Sequence, residues 1–294
     1  MKVTFWGTRG SVPAPGPLTV KYGGNTTCIE LRTDDNKLII LDAGTGLRLL
    51  GEQIVARKEK INTNILLSHT HWDHICGFPF FIPAYIPGNA ITFQGPVHYE
   101  QSLKDIMVGH TQYAYFPVRV EDMAADIQYR DLKEGTFELE GLKVVARYLN
   151  HPVLCLGYRF ESSRGKVFVF GTDTEPFYNV FGGGEDGDPE AENIADDLNA
   201  RIVDFVRDAD LVVWDGQYTP DEYKVKQGWG HTSTIQCMEM GMKANVKHFV
   251  YTHHDPCRTD AQMDKILEES RKYLDERSSK MIIGAATEGV TIDL

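Results

Sequence analysis

An α/β layered sandwich, two sheets with helices outside them, is the fold class this sequence predicts. Three observations predict it. Short buried-type apolar runs dominate the first part of the chain, strand-like and helix-like segments alternate in the latter part, and the composition is that of an ordinary soluble core. Of 294 residues, 42% are hydrophobic and 24% charged, which excludes disorder, collagen and coiled coil for the whole chain. One domain over 1–294 is expected. A chain this long buries about three quarters of its unfolded surface and needs no disulfide or metal merely to fold. Any metal it carries is therefore expected to serve chemistry.

The elements follow in order. Val3–Trp6, Cys28–Leu31, Leu38–Leu41 and Ile65–Leu67 read as strands, the early ones antiparallel in style. Between them Leu47, Leu50, Ile54 and Val55 recur at helical spacing. Strands continue at Ile91–Phe93, Leu142–Ala146, Leu156–Phe160 and Lys166–Phe170. The latter part alternates: Ile202–Val206 helix, Leu211–Trp214 strand, Thr232–Met242 helix, Phe249–Tyr251 strand. The stretch 259–274 is expected as a helix capped by Thr259, with Met263, Ile266, Leu267, Ser270 and Leu274 on one face. Val290, Ile292 and Leu294 alternate as a last strand. An acidic, Gly-rich segment around 181–197 has almost nothing to bury and is expected to be a surface insertion.

Charge and targeting narrow the partners. Lys+Arg is 30 against 42 Asp+Glu, a net charge of -12. Long polyanions are bound through clustered Lys and Arg, and no such cluster appears, so no large nucleic-acid partner is expected. Small anions remain open, because a local site can differ in sign from the whole. The N-terminus has too short an apolar run for a signal peptide, and no stretch approaches the ~20 apolar residues of a membrane helix. Five scattered cysteines without a C-x-x-C pair fit free thiols. The expectation is a cytoplasmic protein with no membrane partner.

The strongest chemical signal is Ser68-His-Thr-His-Trp-Asp-His74. Three histidines and an aspartate leave the end of an apolar run, where a turn can converge their side chains on one point. Imidazole and carboxylate are the ligands that Zn²⁺ and related ions prefer, and one tetrahedral ion cannot easily use all four, so two ions are the natural reading. His151, Asp173, and His253 with His254, each follow an apolar segment and are further candidates. Singly, each would more often be an ordinary polar residue at a strand end.

With these residues in order, the sequence resembles the metallo-β-lactamase-fold hydrolases over nearly its whole length. The resemblance implies a four-layer αββα sandwich with a dinuclear site in the cleft between the sheets. It implies that His69, His71 and His151 hold one ion, that Asp73, His74 and His253 hold the other, and that Asp173 bridges them. Asp42 would orient a histidine. The choice of His253 over His254 follows the family pattern, in which the final ligand comes directly after the last strand and a small residue. Aspartate at the bridging position is unlike a true β-lactamase, and His71 is unlike the di-iron oxygen reductases of the fold. The 41 residues after His253 leave little for the helical substrate domain of the glyoxalase II-like thioesterases.

Trp214-Asp-Gly-Gln-Tyr-Thr219 and Gly228-Trp-Gly-His-Thr-Ser233 are similar to the acid-containing loop and Gly-His-Ser/Thr motif of the tRNase Z and phosphodiesterase branch. Gly7-Thr-Arg-Gly-Ser-Val-Pro13 and Gly23-Gly-Asn-Thr26 resemble that branch too. His231 before a helix suits a phosphate, and Asp215 could orient it as a general acid. The bland alternative is a helix cap, for which Thr232 or Ser233 is the better residue. The tRNA enzymes carry a long arm between the His151 and Asp173 motifs, and here only 22 residues separate the two.

The expected function is hydrolysis of a phosphodiester in a small nucleotide-type substrate such as a cyclic nucleotide. Two divalent ions, zinc foremost with manganese or iron as other options, would share a hydroxide ~3.5–4 Å from ion to ion. With Asp73 and Asp173 this leaves the centre near +1, matched to a diester. Asp73, His231 and Asp215 are the expected catalytic residues. His231, Phe78 and Arg9 are candidate substrate contacts, with Lys21 and Arg258 as further phosphate candidates. Alternatives are an acyl, lactone or thioester hydrolase on the same centre, a tRNA 3′-processing type of endonuclease, or a metal-binding scaffold without turnover. The aromatic group Phe78, Phe80, Phe81, Tyr85, Tyr113, Tyr115 and Phe116 is expected to serve core or homodimer packing, with base stacking as the rarer option.

Overall fold

In the computed structural model, which describes residues 1–96, 99–179 and 189–294, two seven-stranded sheets pack face to face with helices on their outer sides. The first half contributes β1 (Lys2–Gly7), β2 (Cys28–Arg32), β3 (Leu38–Leu41), α1 (Gly46–Ala56), β4 (Asn62–Leu66), the one-turn α2 (Trp72–Ile75), β5 (Ala90–Pro96), α3 (Leu103–His110) and β6 (Asp126–Leu132). The second contributes β7 (Gly135–Leu139), β8 (Leu142–Leu149), β9 (Cys155–Glu161), β10 (Val167–Gly171), α4 (Pro189–Val206), β11 (Leu211–Asp215), α5 (Pro220–Lys226), α6 (Thr234–Lys243), β12 (His248–Thr252), α7 (Asp260–Glu276), β13 (Ile282–Ala285) and β14 (Thr291–Asp293). The sheets are ordered β14-β1-β2-β3-β4-β5-β6 and β13-β12-β11-β10-β9-β8-β7.

The apolar runs are continuous because both faces of the central strands are covered. In β3, Ile39 and Leu41 enter the layer between the sheets, while Leu38 and Ile40 pack outward with Leu47, Leu50 and Ile54 of α1. In the second sheet Phe168, Phe170, Leu211 and Val213 face the middle layer. Val169, Val212 and Trp214 face α6 and α7 residues such as Met238, Met263 and Leu267. Thr259 caps α7 by accepting from the Gln262 N–H, and the expected face of that helix is the buried one. Ser233, not Thr232, caps α6.

The antiparallel style expected of the early strands holds only for the first three. β1, β2 and β3 are antiparallel, but β3 through β6 run parallel. Strands β10 to β13 are also parallel, so the C-terminal ends of β3 and β4 and of β10, β11 and β12 gather along one edge of the molecule. Ligand sites in α/β sheets form outside such strand ends. Three strands escape the sequence pattern: β6 is half exposed and polar, β7 sits at a sheet edge with mostly exposed residues, and β13 is only four residues long at the opposite edge of the same sheet as β7. Of the loop expected around 181–197, residues 181–188 lie outside the described residues. Residues 189–197 begin α4, with Glu190 and Glu192 in its first turn, where the helix dipole favours carboxylates. Among the described residues no helix is long and apolar enough to cross a membrane.

Candidate metal centre

The edge where these strands end collects every metal-ligating residue expected from the sequence. Asp42 leaves β3, Ser68 to His74 follow β4 and open α2, His151 follows β8, Asp173 follows β10 and His253 follows β12. Ligand atoms of His69, His71, His151 and Asp173 lie within 4.8 Å of one another, and so do those of Asp73, His74, Asp173 and His253. Asp173 belongs to both sets through different oxygens. Its Oδ2 lies 3.7 Å from His69 Nε2 and 3.9 Å from His151 Nε2. Its Oδ1 lies 3.1 Å from both His74 Nε2 and His253 Nε2. Asp73 Oδ2 closes the second set at 3.2 Å from His74 Nε2 and 3.1 Å from His253 Nε2, and His71 Nδ1 closes the first at 3.3 Å from His151 Nε2.

The donor set fits two cations. Metal–ligand bonds of ~2.0–2.2 Å in a tetrahedron put neighbouring donors about 3.4 Å apart, and the separations above bracket that value. The buried Nε2 atoms of His69 and His74 have no hydrogen-bond partner, although carboxylate oxygens lie close by. Orphaned buried nitrogens are costly unless something else fills their lone pairs.

Four of the five imidazoles are held from behind, as ligating histidines generally are. His74 Nδ1 donates to Asp42 Oδ2 at 2.8 Å, and Asp42 also accepts from the Ser68 N–H and hydroxyl. Ser68 Oγ lies 3.1 Å from His69 Nδ1. His151 Nδ1 donates to the Gly230 carbonyl and His253 Nδ1 to Gln217 Oε1. Gln217, Gly230 and Ser68 were not foreseen as positioning groups. Each lies inside one of the segments 68–74, 214–219 and 228–233, so adjacency is the one signal the sequence carries for it.

Burial pushes the pKa values of His69, His71 and His151 down, that of His151 to about 4, which favours the neutral ligating form. Burial opposes charge on His74 too, but Asp73, Asp173 and Asp42 surround it and raise its pKa. Burial would raise the carboxyl of Asp173, yet His253, His74 and His69 outweigh it and hold it well below the usual range.

His231 stands beside this cluster. Its ring stacks on His253 with centres 4.8 Å apart and lies 5.6 Å from His151, so it touches both ligand sets. Nδ1 donates to Asp215 Oδ2 at 2.7 Å, and Asp215 is further fixed by the backbone N–H groups of Thr174 and Gln217. Burial pulls the His231 pKa down, but Asp215, with Asp173 and Asp73 behind it, raises it to about 9.

Several expected contacts are not at the centre. Phe78 is fully buried and packs edge-on to Phe93, ring centres 4.7 Å apart, outside the first sheet. Arg9 is also fully buried. Its Nε donates to the Gly23 carbonyl and its Nη1 to the carbonyls of Arg258 and Asp255, so it ties loops together. Lys21 pairs with Asp264 at the surface, and Arg258 pairs with Glu222. His254 donates to the Ala286 carbonyl and faces away from the ligand sets.

A family model described as "Beta-lactamase superfamily domain" matches residues 37–254. The chain belongs to the beta-lactamase superfamily. The Ribonuclease BN of Proteus mirabilis is 24% identical, covering 94% of this chain and 96% of that protein. Among solved structures, the metallo-beta-lactamase fold protein YhfI of Bacillus subtilis superposes with a TM-score of 0.69 at 15% identity, covering 99% and 98% of the two chains. A diphosphatase of the PhnP family superposes with 0.64 at 18% identity, covering 100% and 97%. The chain is accordingly a metal-dependent hydrolase of this superfamily, with the αββα architecture its sequence implied.

Proposed function

We propose that this hydrolase cleaves phosphodiester bonds in small nucleotide-type molecules at a centre of two divalent cations, zinc by preference. The observation that carries the reading is the His231–Asp215 pair against both ligand sets. His69, His71, His151 and Asp173 Oδ2 would hold one cation. Asp73, His74, His253 and Asp173 Oδ1 would hold the other. The bound cations would supply positive charge for the phosphoryl oxygens and an acidified water. Five imidazoles and two carboxylates as donors suit zinc.

The chain's own work is the proton. Asp215 fixes His231 with its Nδ1–H turned away from the centre, which leaves Nε2 to carry a proton to the leaving oxygen. The ring is only 10% exposed, so that proton is shielded from bulk water. Acyl transfer from a good leaving group has no need of such a donor. The name of the Ribonuclease BN relative supports diester chemistry, since a ribonuclease breaks phosphodiester bonds. That name also favours a second reading, an RNA endonuclease. Against it, β9 and β10 are antiparallel neighbours joined by a short turn, leaving no arm between His151 and Asp173. The net charge of -12 also weighs against a long polyanion.

The test is His231→Ala, loaded with zinc and checked for metal content. Turnover of a diester with an alkoxide leaving group should fall ~10²–10⁴-fold, and that of bis(p-nitrophenyl) phosphate far less, because nitrophenolate leaves unprotonated. An unchanged rate on both would remove His231 from the reaction. Faster wild-type turnover of an ester, a lactone or a structured RNA would transfer the assignment to that substrate.

A further inference from the structure

Beside the metal centre lies an apolar recess that the chemistry above does not use. It opens between the loop Ser11-Val12-Pro13, the N-terminal turn of α1 and the start of α2, and encloses about 500 Å³. That volume falls within the ~300–1,000 Å³ of small-molecule sites. Trp72 and Phe80 line it, and Asp73, a ligand of the second set, forms part of the same wall. Asp73 thus places the recess next to the centre.

The loop wall is fastened to the centre. Ser11 adopts a left-handed backbone, φ 63°, and its N–H donates to Asp73 Oδ2 at 2.7 Å. A Cβ on Gly10 would lie 2.2 Å from the His253 ring, so only glycine lets the loop come this close. Strained non-glycine backbone concentrates at functional sites.

Trp72 is the second observation. It sits between two ligands, His71 and Asp73, yet its side chain is 80% exposed and supports no core. Phe80 is 55% exposed, while its neighbours Phe78 and Phe81 are fully buried. Phe80 meets Phe116 edge-on, ring centres 5.4 Å apart, which leaves much of its surface and nearly all of Trp72 free to take a flat apolar partner in the recess. Apart from Asp73, the charge in the lining is that of Arg48, which pairs with Glu52. The recess therefore suits a neutral planar group better than a second phosphate.

We infer that this recess holds the nucleobase of the substrate, stacked on Trp72 and Phe80, while the diester lies over the cations. The inference rests on the phosphodiester reading and names its substrate class: diesters with a nucleoside on the retained side.

The experiment compares a nucleoside 5′-(p-nitrophenyl) phosphate with methyl p-nitrophenyl phosphate. The two carry the same charge and leaving group and differ only in the retained group. In the zinc-loaded chain the nucleoside ester should have the higher kcat/KM. Trp72→Ala and Phe80→Ala should each lower the ratio of the two kcat/KM values by about 5- to 150-fold, the range of base–aromatic stacking. Trp72→Phe should restore most of the ratio. Calorimetry with adenosine 5′-monophosphate should show the same ordering, and inorganic phosphate should not. Metal content is measured in each variant, and Phe80→Ala, which is not a sequence neighbour of any ligand, serves if Trp72→Ala loses metal. No turnover of either diester by the wild-type chain would overturn the phosphodiester reading itself. Turnover of both with a ratio unmoved by the variants would overturn only the base recess. A dimer that becomes a monomer in Trp72→Ala, with that ratio unmoved, would give the recess to a second copy of the chain and overturn the inference.

Discussion

Replacing Asp42 by asparagine changes one oxygen to an NH₂ group and leaves the shape intact. Asp42 is fully buried. Its Oδ1 accepts the Ser68 N–H at 2.7 Å, and its Oδ2 accepts the Ser68 hydroxyl at 2.9 Å and His74 Nδ1–H at 2.8 Å. Asparagine has two orientations there. With its NH₂ toward His74, two donors meet, and His74 must move its proton to Nε2, the atom facing Asp73 and Asp173. That histidine can then no longer ligate. With its NH₂ toward Ser68, it meets the backbone N–H, and a buried donor goes unpaired at about 1–3 kcal/mol. Loss of a group that orients a ligand typically costs 10–100-fold in metal affinity, ~1.4–2.7 kcal/mol. The loss should fall on the set containing His74. Against a graded chromophoric chelator, the wild type should release two ions late, and Asp42→Asn should release one of its two at 10–100-fold lower chelator strength. Two ions held at wild-type affinity, with an unchanged melting temperature of the metal-free form, would refute the argument.

The remaining predictions are direct. His253→Gln should lower metal stoichiometry toward one and abolish turnover. His254→Gln should keep both ions and cost stability, through the lost bond to the Ala286 carbonyl, as read by elemental analysis and urea unfolding. Phe78→Ala should destabilise by ~3–5 kcal/mol in thermal or urea unfolding, with no change of substrate preference in the folded fraction. In the metal-free form Asp173→Gly should be more stable than Asp173→Ala, because the site has φ 50°. At Asp73, in α2, the order should be the usual one, alanine above glycine by ~0.5–1 kcal/mol.

The turn from Ser68 to His74 was legible because its four candidate ligands fall within six residues, and a strand end followed by a helix turn brings neighbours together without help from the rest of the chain. His151, Asp173 and His253 are ordinary residues until the topology aligns three strand ends, so their place after apolar segments marks them only as candidates and the ligand roles come from the family resemblance. The aromatic cluster shows the opposite limit. Phe78 and Phe80 look equivalent in the sequence, but the segment Phe78–Phe80 forms a 3₁₀ turn. In that geometry residues i and i+3 share a face, so Phe78 and Phe81 are buried together and Phe80 is left outside. Arg9 misled for a related reason. A charged residue among glycines reads as surface, whereas three loop carbonyls converge on its guanidinium and keep it inside.

The backbone at the centre says which positions were filled for their side chains. Asp42, Asp173 and His253 follow the ends of β3, β10 and β12, and all three are left-handed, with φ of 59°, 50° and 57°. For an L-residue that conformation costs roughly 1–2 kcal/mol. Aspartate tolerates it somewhat, but histidine has less excuse. If the only requirement were to turn the chain at a strand end, glycine would do so without steric cost. A residue that keeps a carboxylate or an imidazole at such a turn does so because the side chain is needed where the turn aims it. Here it aims each one at the same edge. Ser11, also left-handed, sends its N–H to Asp73 from the opposite wall. The strain is therefore distributed around a single point, and a core of two packed sheets is what holds it there.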